Sequence, residues 1–332
     1  MKKITKLGAG LLLALGILTG CSGEKNTEAK STTLKVAFNQ SEAHPQFKTL
    51  KEFGEKLEAE TNGTYKLEIS PNSLLGDQRA ATELVQNGVI QMAVVANPVV
   101  ESFNKDFAVI GLPYIYDSIG HQKKVFLSGT LDELFTSTKK NGFEVVGAYT
   151  AGGRSVYTNK PITTPEEMKG YKIRVMQSDT MKRMIDLMGG VGTPMAQGEV
   201  YTAIQQGVLE GGENNEVTYA DLKHYEVAKY FSYTNHLMVP DLIIINEKTY
   251  GKMSDENKAI FKKLINESVE NQFEAWNKNV EDAKKISEAN GAKFIEISIA
   301  AFQENVKPLQ ESVLNSSEKT KKLYEDIRTL AN

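Results

Sequence analysis

The sequence predicts an α/β protein of two similarly built lobes tied together by one long helix. Three observations carry that expectation. With 332 residues, the chain is long enough for two cores of about 150 residues each. A helix, a glycine and a strand follow one another in the same way twice, in GDQRAATELVQNGVIQMAVVAN (Gly76 to Asn97) and in QGEVYTAIQQGVLEGGENN (Gln197 to Asn215). The run from Ser254 to Asn290 contains neither proline nor glycine and is ended by Gly291. At about 1.5 Å per residue its helix is longer than one lobe of this size is wide, so it must cross both.

In chain order, TLKVAFN (Thr33 to Asn39) alternates apolar and polar residues and reads as a first strand. Pro45 to Thr61 reads as a helix, with Phe47, Leu50, Phe53 and Leu57 at helical spacing, and TYKLEISPN (Thr64 to Asn72) as a second strand. In each copy of the repeated unit the helix ends in Gln-Asn-Gly or Gln-Gln-Gly, where Gly88 or Gly207 can take the left-handed conformation that stops a helix. The strand that follows runs into asparagine, at Asn97 in one copy and at Asn214 and Asn215 in the other. Open α/β sheets bind ligands at the carboxyl ends of their strands, so both asparagine ends are candidates to face a shared cleft. Between the copies lie FEVVGAYTAGGRSVYTN (Phe143 to Asn159) and YKIRVMQ (Tyr171 to Gln177). Pro161 to Gly170 reads as a loop and a capped helical turn, with Thr164 at the N-cap, Pro165 at the first helical position and Glu167 three residues on.

The amino terminus sets the compartment. Three lysines (Lys2, Lys3, Lys6) precede an apolar stretch, Leu7 to Gly20, of signal-peptide length and too short for a permanent membrane span. The sole cysteine of the chain, Cys21, follows directly, and Leu18 to Cys21 resembles the bacterial lipobox, whose cysteine is acylated after cleavage. On this reading residues 1–20 are a lipoprotein signal peptide, Cys21 is the lipid anchor, and residues 21–32 are a flexible tether. An anchor also accounts for the lone thiol, which has no disulfide framework to join. The remaining chain is exported and tethered to the membrane. Loss of the first twenty residues takes the formal charge from −3 to −6, and an acidic total gives no reason to expect nucleic acid. Apolar content of 40% and charged content of 24% are those of a globular domain, and no later segment approaches a membrane span.

The motif search points away from catalysis. The chain has no phosphate-binding loop, no GxSxG elbow, no CxxC and no HExxH, and its four histidines (His44, His121, His224, His236) are scattered. No catalytic residue, metal site or cofactor is expected. Two arginines stand out instead, because the chain has only five, against 39 basic residues in all. In KIRV, Ile173 and Val175 point to one side and Arg174 to the other. An arginine in so short an apolar strand must pair internally, reach solvent, or clamp an anion, for which its planar fork is better suited than a lysine. Arg154 follows Gly152 and Gly153, which permit a close backbone approach or an unusual turn. It is open to the same readings.

These residues also carry a resemblance. LLGDQRA (74–80), GLPYIYDS (111–118), GGRSVYTNKPITTPEEMKGYKIRV (152–175), TPMAQGEVYTAIQQGVLEGGENN (193–215) and HYEVAKYFSYTNHLMVP (224–240) resemble, in order and spacing, the extracytoplasmic solute-binding proteins of tripartite ATP-independent periplasmic (TRAP) transporters, the DctP family. The resemblance implies a two-lobed periplasmic-binding-protein fold with mixed sheets, a central cleft and a long helix spanning both lobes. The boundaries are expected at 33–151 for lobe I and 152–239 for lobe II. Residues 240–279 return to lobe I and begin the spanning helix, and 280–332 hold its end and the C-terminal helices, which pack on both lobes.

It also implies a site. Arg174 falls on the family's carboxylate clamp, Arg154 on a second ligand-contacting arginine, Asn214 beside the carboxylate, and Asn39 on a polar contact from the first strand. Gln78 stands where sialic-acid-binding relatives have an acid, and Gln197 where phenylalanine is common. An amide in place of an aromatic favours hydroxyl partners. The expected ligand is a sugar acid, a uronate or aldonate, with Arg174 and Arg154 on the carboxylate and Asn39, His44, Gln78, Asn97, Gln197 and Asn214 on hydroxyls. The alternatives are another carboxylate, such as a C4 dicarboxylate, a 2-oxo acid or sialic acid, or a sensor that presents its ligand to a receptor. The implied partners are the TRAP permease subunits and, through Cys21, the membrane. The protein is expected to act as a monomer.

Overall fold

In the computed structural model, which describes residues 31–331, the alternation of the first strand does bury one face: Leu34 and Val36 are fully buried and Lys35 is exposed. The expected signal peptide and Cys21 lie outside the described residues. Strand β1 (Thr32–Ala37) opens just inside the stretch expected to be tether. It is followed by α1 (Pro45–Glu60), β2 (Tyr65–Ser70), α2 (Gln78–Gln86), β3 (Met92–Ala96), α3 (Asn97–Glu101), α4 (Ile119–Leu127), α5 (Asp132–Thr136) and β4 (Phe143–Thr150). The chain then enters a second group: β5 (Arg154–Thr158), β6 (Lys172–Val175), α6 (Asp179–Leu187), β7 (Val191–Pro194), α7 (Val200–Gln205), β8 (Gly211–Asn214), α8 (Glu216–Asp221) and β9 (Tyr230–Leu237). Strand β10 (Pro240–Asn246), α9 (Glu247–Gly251), α10 (Asp255–Ala289), β11 (Lys293–Ile295), α11 (Ala300–Leu314) and α12 (Glu318–Thr329) complete it.

Two mixed sheets result, ordered β2-β1-β3-β10-β4 and β11-β9-β5-β8-β6-β7. In the first, β1 runs parallel to β2 and β3 while β10 is antiparallel to β3 and β4; in the second, β6 is parallel to β7 and β8, and β5 is antiparallel to β8 and β9. Central strands β3 and β10 are covered on both faces and read as near-continuous apolar runs, AVVA and LIII, whereas β1 and β2 alternate. The chain passes between the sheets at 151–153 and at 238–239, where β10 returns to the first sheet, and α10 then carries it back to the second, which β11 completes as an edge strand beside β9. The two repeated units occupy corresponding places: α2 leads through Gly88 (φ +73°) to β3, and α7 through Gly207 (φ +70°) to β8.

The long helix is α10, capped by the Ser254 hydroxyl accepting from the Asn257 N–H and stopped before Gly291 at φ +91°. Its first half packs Phe261, Leu264, Ile265, Val269 and Phe273 against α1 and the first sheet. Further along, Trp276 and Ala283 meet Val217 of α8, and Lys284 covers the rings of Tyr233 and Phe294 in the second sheet. Burying each large apolar side chain contributes about 1.5–3 kcal/mol, so this one helix fastens both halves. The turn at 165–168 differs in detail from the expected capping box. The Thr164 side chain makes no cap hydrogen bond, and Glu167 accepts instead from the N–H and hydroxyl of Thr163.

At the crossing from β4 to β5, Gly152 has φ +66° and lies against Trp276, where a Cβ would stand 2.8 Å from the indole Cε2 and 2.9 Å from Cζ2. A Gly152→Ala exchange therefore combines left-handed strain with a clash against a buried ring and should cost about 2–4 kcal/mol in urea unfolding. Gly63→Ala, at φ +76° with nothing near its Cβ, isolates the backbone part and should cost only about 1 kcal/mol.

Candidate functional site

A cleft lies between the two sheets, where the carboxyl ends of β1, β6 and β8 approach one another. It has an outer chamber of about 200 Å³ and a smaller inner one, and Asn39, Gln78, Arg174, Met176 and Gln197 line both. The inner chamber adds Gln40, His44, Arg154, Asn214, Thr218 and Asp241. Polar side chains close the mouth from the two sides. Gln197 accepts from Asn39 Nδ2 at 3.3 Å and donates to Gln40 Oε1 at 3.1 Å, Gln40 donates to Thr218, and Ser41 donates to Asp221. At another point on the boundary, Glu101 of α3 accepts from Ser178 and Thr180 at the start of α6.

The two arginines differ sharply. Arg154 is a buried ion pair. Its Nε donates to Glu213 Oε2 at 2.6 Å, its Nη2 to Glu213 Oε1 and to the Glu213 carbonyl, both at 2.8 Å, and its Nη1 to Asn214 Oδ1 at 2.8 Å. Only one Nη1 proton is left for anything else. Burial pushes the Glu213 carboxyl up, but Arg154 and the nearby His236 outweigh it and hold it at about 2. Most of the fork expected to meet a ligand carboxylate is thus held by Glu213, and Arg154 keeps one Nη1 proton at the inner chamber that it lines.

Arg174 is the opposite case. Ile173 and Val175 anchor its strand in the core, and Arg174, 4% exposed as a residue, donates through Nε to the Met195 carbonyl at 2.9 Å. Among the described residues its two Nη groups have no hydrogen-bond partner and no paired carboxylate. Burial pulls its pKa down, with Glu213 opposing, but a guanidinium retains its charge. A buried fork with four N–H donors open to a cavity is a receptor for a planar anion, above all a carboxylate.

The amides surround it with directed donors and acceptors. Asn214 Oδ1 accepts from Arg154 and from the Asn215 N–H, which leaves its Nδ2 as a donor at the cleft. Gln78 Oε1 accepts from the Ala96 N–H, leaving Nε2 free in the same way. His44 caps α1 by accepting the Gln46 N–H on Nδ1, so its proton sits on Nε2, which has no partner. Burial, aided by Lys48, lowers its pKa to about 3, so the ring is a neutral hydrogen-bond donor. Asn97 does not belong to this group. It is fully buried, its Nδ2 donates to the Phe107 carbonyl at 3.0 Å, and it lines neither chamber. Its expected role as a hydroxyl contact is corrected to a core residue.

Sequence reasoning missed Gln40, Met176, Thr218 and Asp241. Asp241 had a signal: it is a single acid at the head of an otherwise apolar strand, the situation that drew attention to Arg174. Among the described residues no group of three His, Cys, Asp or Glu side chains could hold a metal ion.

Comparison with known proteins follows this geometry. Residues 36–317 match the model of DctP, the bacterial extracellular solute-binding protein family 7. The uncharacterized protein YiiZ of Salmonella typhimurium is 34% identical over 304 residues, covering 91% of this chain and 92% of its own. Among solved structures, a TRAP periplasmic solute-binding protein of Anaerococcus prevotii with bound D-glucuronate superposes with TM-score 0.88 at 37% identity, over 90% of this chain and 98% of that one. One from Xanthobacter autotrophicus with bound β-D-galacturonate gives TM-score 0.86 at 29% identity, over 89% and 99%.

Glu213→Gln leaves the Arg154 charge buried without its partner and should destabilise by about 3–5 kcal/mol at pH 7 in urea unfolding. Glu213 is held below its ordinary value of 4.5, so the stability it supplies is complete above that pH and lost as pH falls through about 2. The gap between wild type and variant should therefore narrow between pH 4.5 and 2.

Proposed function

Because the chain belongs to the DctP family of bacterial extracellular solute-binding proteins, we propose that it is the lipid-anchored receptor of a TRAP transporter and captures a hexuronate or an aldonate for uptake. The observation that carries this is the Arg174 guanidinium, buried at a cleft between two sheets with both Nη groups unpaired. A ligand carboxylate supplies the missing partner in bidentate geometry. Around it, Asn39, His44, Gln78, Gln197 and Asn214 offer amide and imidazole groups suited to hydroxyls, which favours a polyhydroxylated acid over a bare dicarboxylate or 2-oxo acid. The glucuronate and galacturonate bound in the similar structures support the same class.

Capture follows from the geometry. Arg174, Gln197 and Asn214 belong to the second sheet and its helices, and Asn39, His44 and Gln78 to the first. A ligand touching both stabilises the closed arrangement by its differential affinity, and the permease subunits read that arrangement. Cys21, acylated after export, keeps the receptor at the outer face of the cell membrane. Nothing in this role requires turnover of the bound acid.

Calorimetric titration of residues 22–332 with uronates, aldonates, C4 dicarboxylates and sialic acid tests the reading. A uronate or aldonate should bind one-to-one without product and shift the fluorescence of Trp276, the sole tryptophan, which stands 6.2 Å from the His44 ring. Saturable binding of a dicarboxylate alone would contradict it. Arg174→Ala should weaken binding by about 100-fold or more, and Arg174→Lys, which keeps the charge but not the fork, by about 10-fold.

A further inference from the structure

Among the described residues Asp241 is the only acid lining the inner chamber, which it shares with Arg154, Arg174, His44 and Asn214. Strand β10 fixes its position between Ala96 of β3 and Tyr149 of β4. Its Oδ2 accepts from Gln46 Nε2 at 2.8 Å, and Gln46 is in turn held by the Thr150 carbonyl at 3.0 Å. No cation pairs with it among the described residues: Arg154, the guanidinium that acts on it, is occupied by Glu213. Burial pushes the Asp241 carboxyl up to about 6 in spite of Gln46 and Arg154. A carboxylate in such a place is unfavourable for the empty protein, because it is desolvated and lacks an ion-pair partner. It also places a negative charge in a chamber that receives an anion.

Both features make sense if the far end of the ligand is neutral and donates hydrogen bonds. We infer that Asp241 is a specificity-determining residue: its free oxygen accepts a hydroxyl of the bound acid, and its charge repels any ligand carrying a second carboxylate at that end. The site then takes monocarboxylic polyols and rejects the corresponding diacids. Attraction toward one ligand is combined with repulsion of its competitor. This rests on the sugar-acid reading above and narrows it.

The test uses two matched pairs, D-glucuronate with D-glucarate and L-threonate with L-tartrate, titrated into the wild type and into Asp241→Asn and Asp241→Ser. Asn preserves the acceptor for Gln46, and Ser provides an independent neutral variant. The wild type should favour the monoacid in whichever pair it binds. Both variants should lose about 10-fold or more in monoacid affinity while the diacid gains, shrinking the ratio by about 100-fold. A wild type that prefers the diacid, or variants that keep the wild-type ratio, would overturn the inference. Binding confined to the four-carbon pair, with the monoacid still favoured, would overturn the hexuronate reading and leave the role of Asp241 standing.

Discussion

The arrangement depends on two buried guanidinium groups sharing one carboxylate unequally. Arg154 and Arg174 line the same inner chamber and repel each other, and Glu213 attracts both. Because Glu213 is hydrogen-bonded to Arg154 and not to Arg174, the charge of one arginine is compensated in place and the other remains a cation in a site largely screened from water. Glu213 thus makes Arg174 tolerable without occupying it. The Arg154–Asn214 bond links the same ion pair to the inner chamber, where it orients an amide that shares the chamber with Arg174.

Much of the remaining fold serves to hold that constellation at the boundary between the two sheets. Arg174 sits on a short strand whose other face is core, so its backbone is fixed while its head faces the cleft. The crossing at 151–153 lets the chain change sheets next to Trp276, and α10 joins the halves beyond it. Across the mouth the contacts are single hydrogen bonds among amides, hydroxyls and the Asp221 carboxylate, each worth about 1–3 kcal/mol net. Such contacts are weak enough to be decided by one ligand, whereas the apolar packing of α10 is not.

The fold was legible wherever the pattern was long: the alternation of β1, the spacing in α1, the paired helix–glycine–strand units and the uninterrupted α10 all stand where the residues placed them. Site residues were less uniformly legible. Arg174 could be read because a charge in an apolar strand demands a partner, but nothing local told whether that partner was internal, and for Arg154 it was. Asn97 and Asn214 end similar strands, yet only the second reaches the cleft. Asn97 opens α3, where its amide satisfies the Phe107 carbonyl, and a repeat does not specify which way its last side chain turns. Asp241 obeys the same rule as Arg174, but it stands at the entrance of its strand beside Pro240, where a polar residue is ordinary and the pattern alone does not mark it. Gln40 and Thr218 meet only through the approach of two sheets, 178 residues apart in sequence, and no local pattern encodes that.

The central claim is that an unpaired guanidinium selects this ligand by its carboxylate. Calorimetry comparing D-glucuronate with D-glucuronamide isolates that group, because the amide removes the charge and puts an NH2 donor in place of the second acceptor oxygen that Arg174 would engage. The account predicts that the amide binds at least about 100-fold more weakly to the wild type and that the difference largely disappears in Arg174→Ala. Equal affinity of acid and amide for the wild type would contradict it.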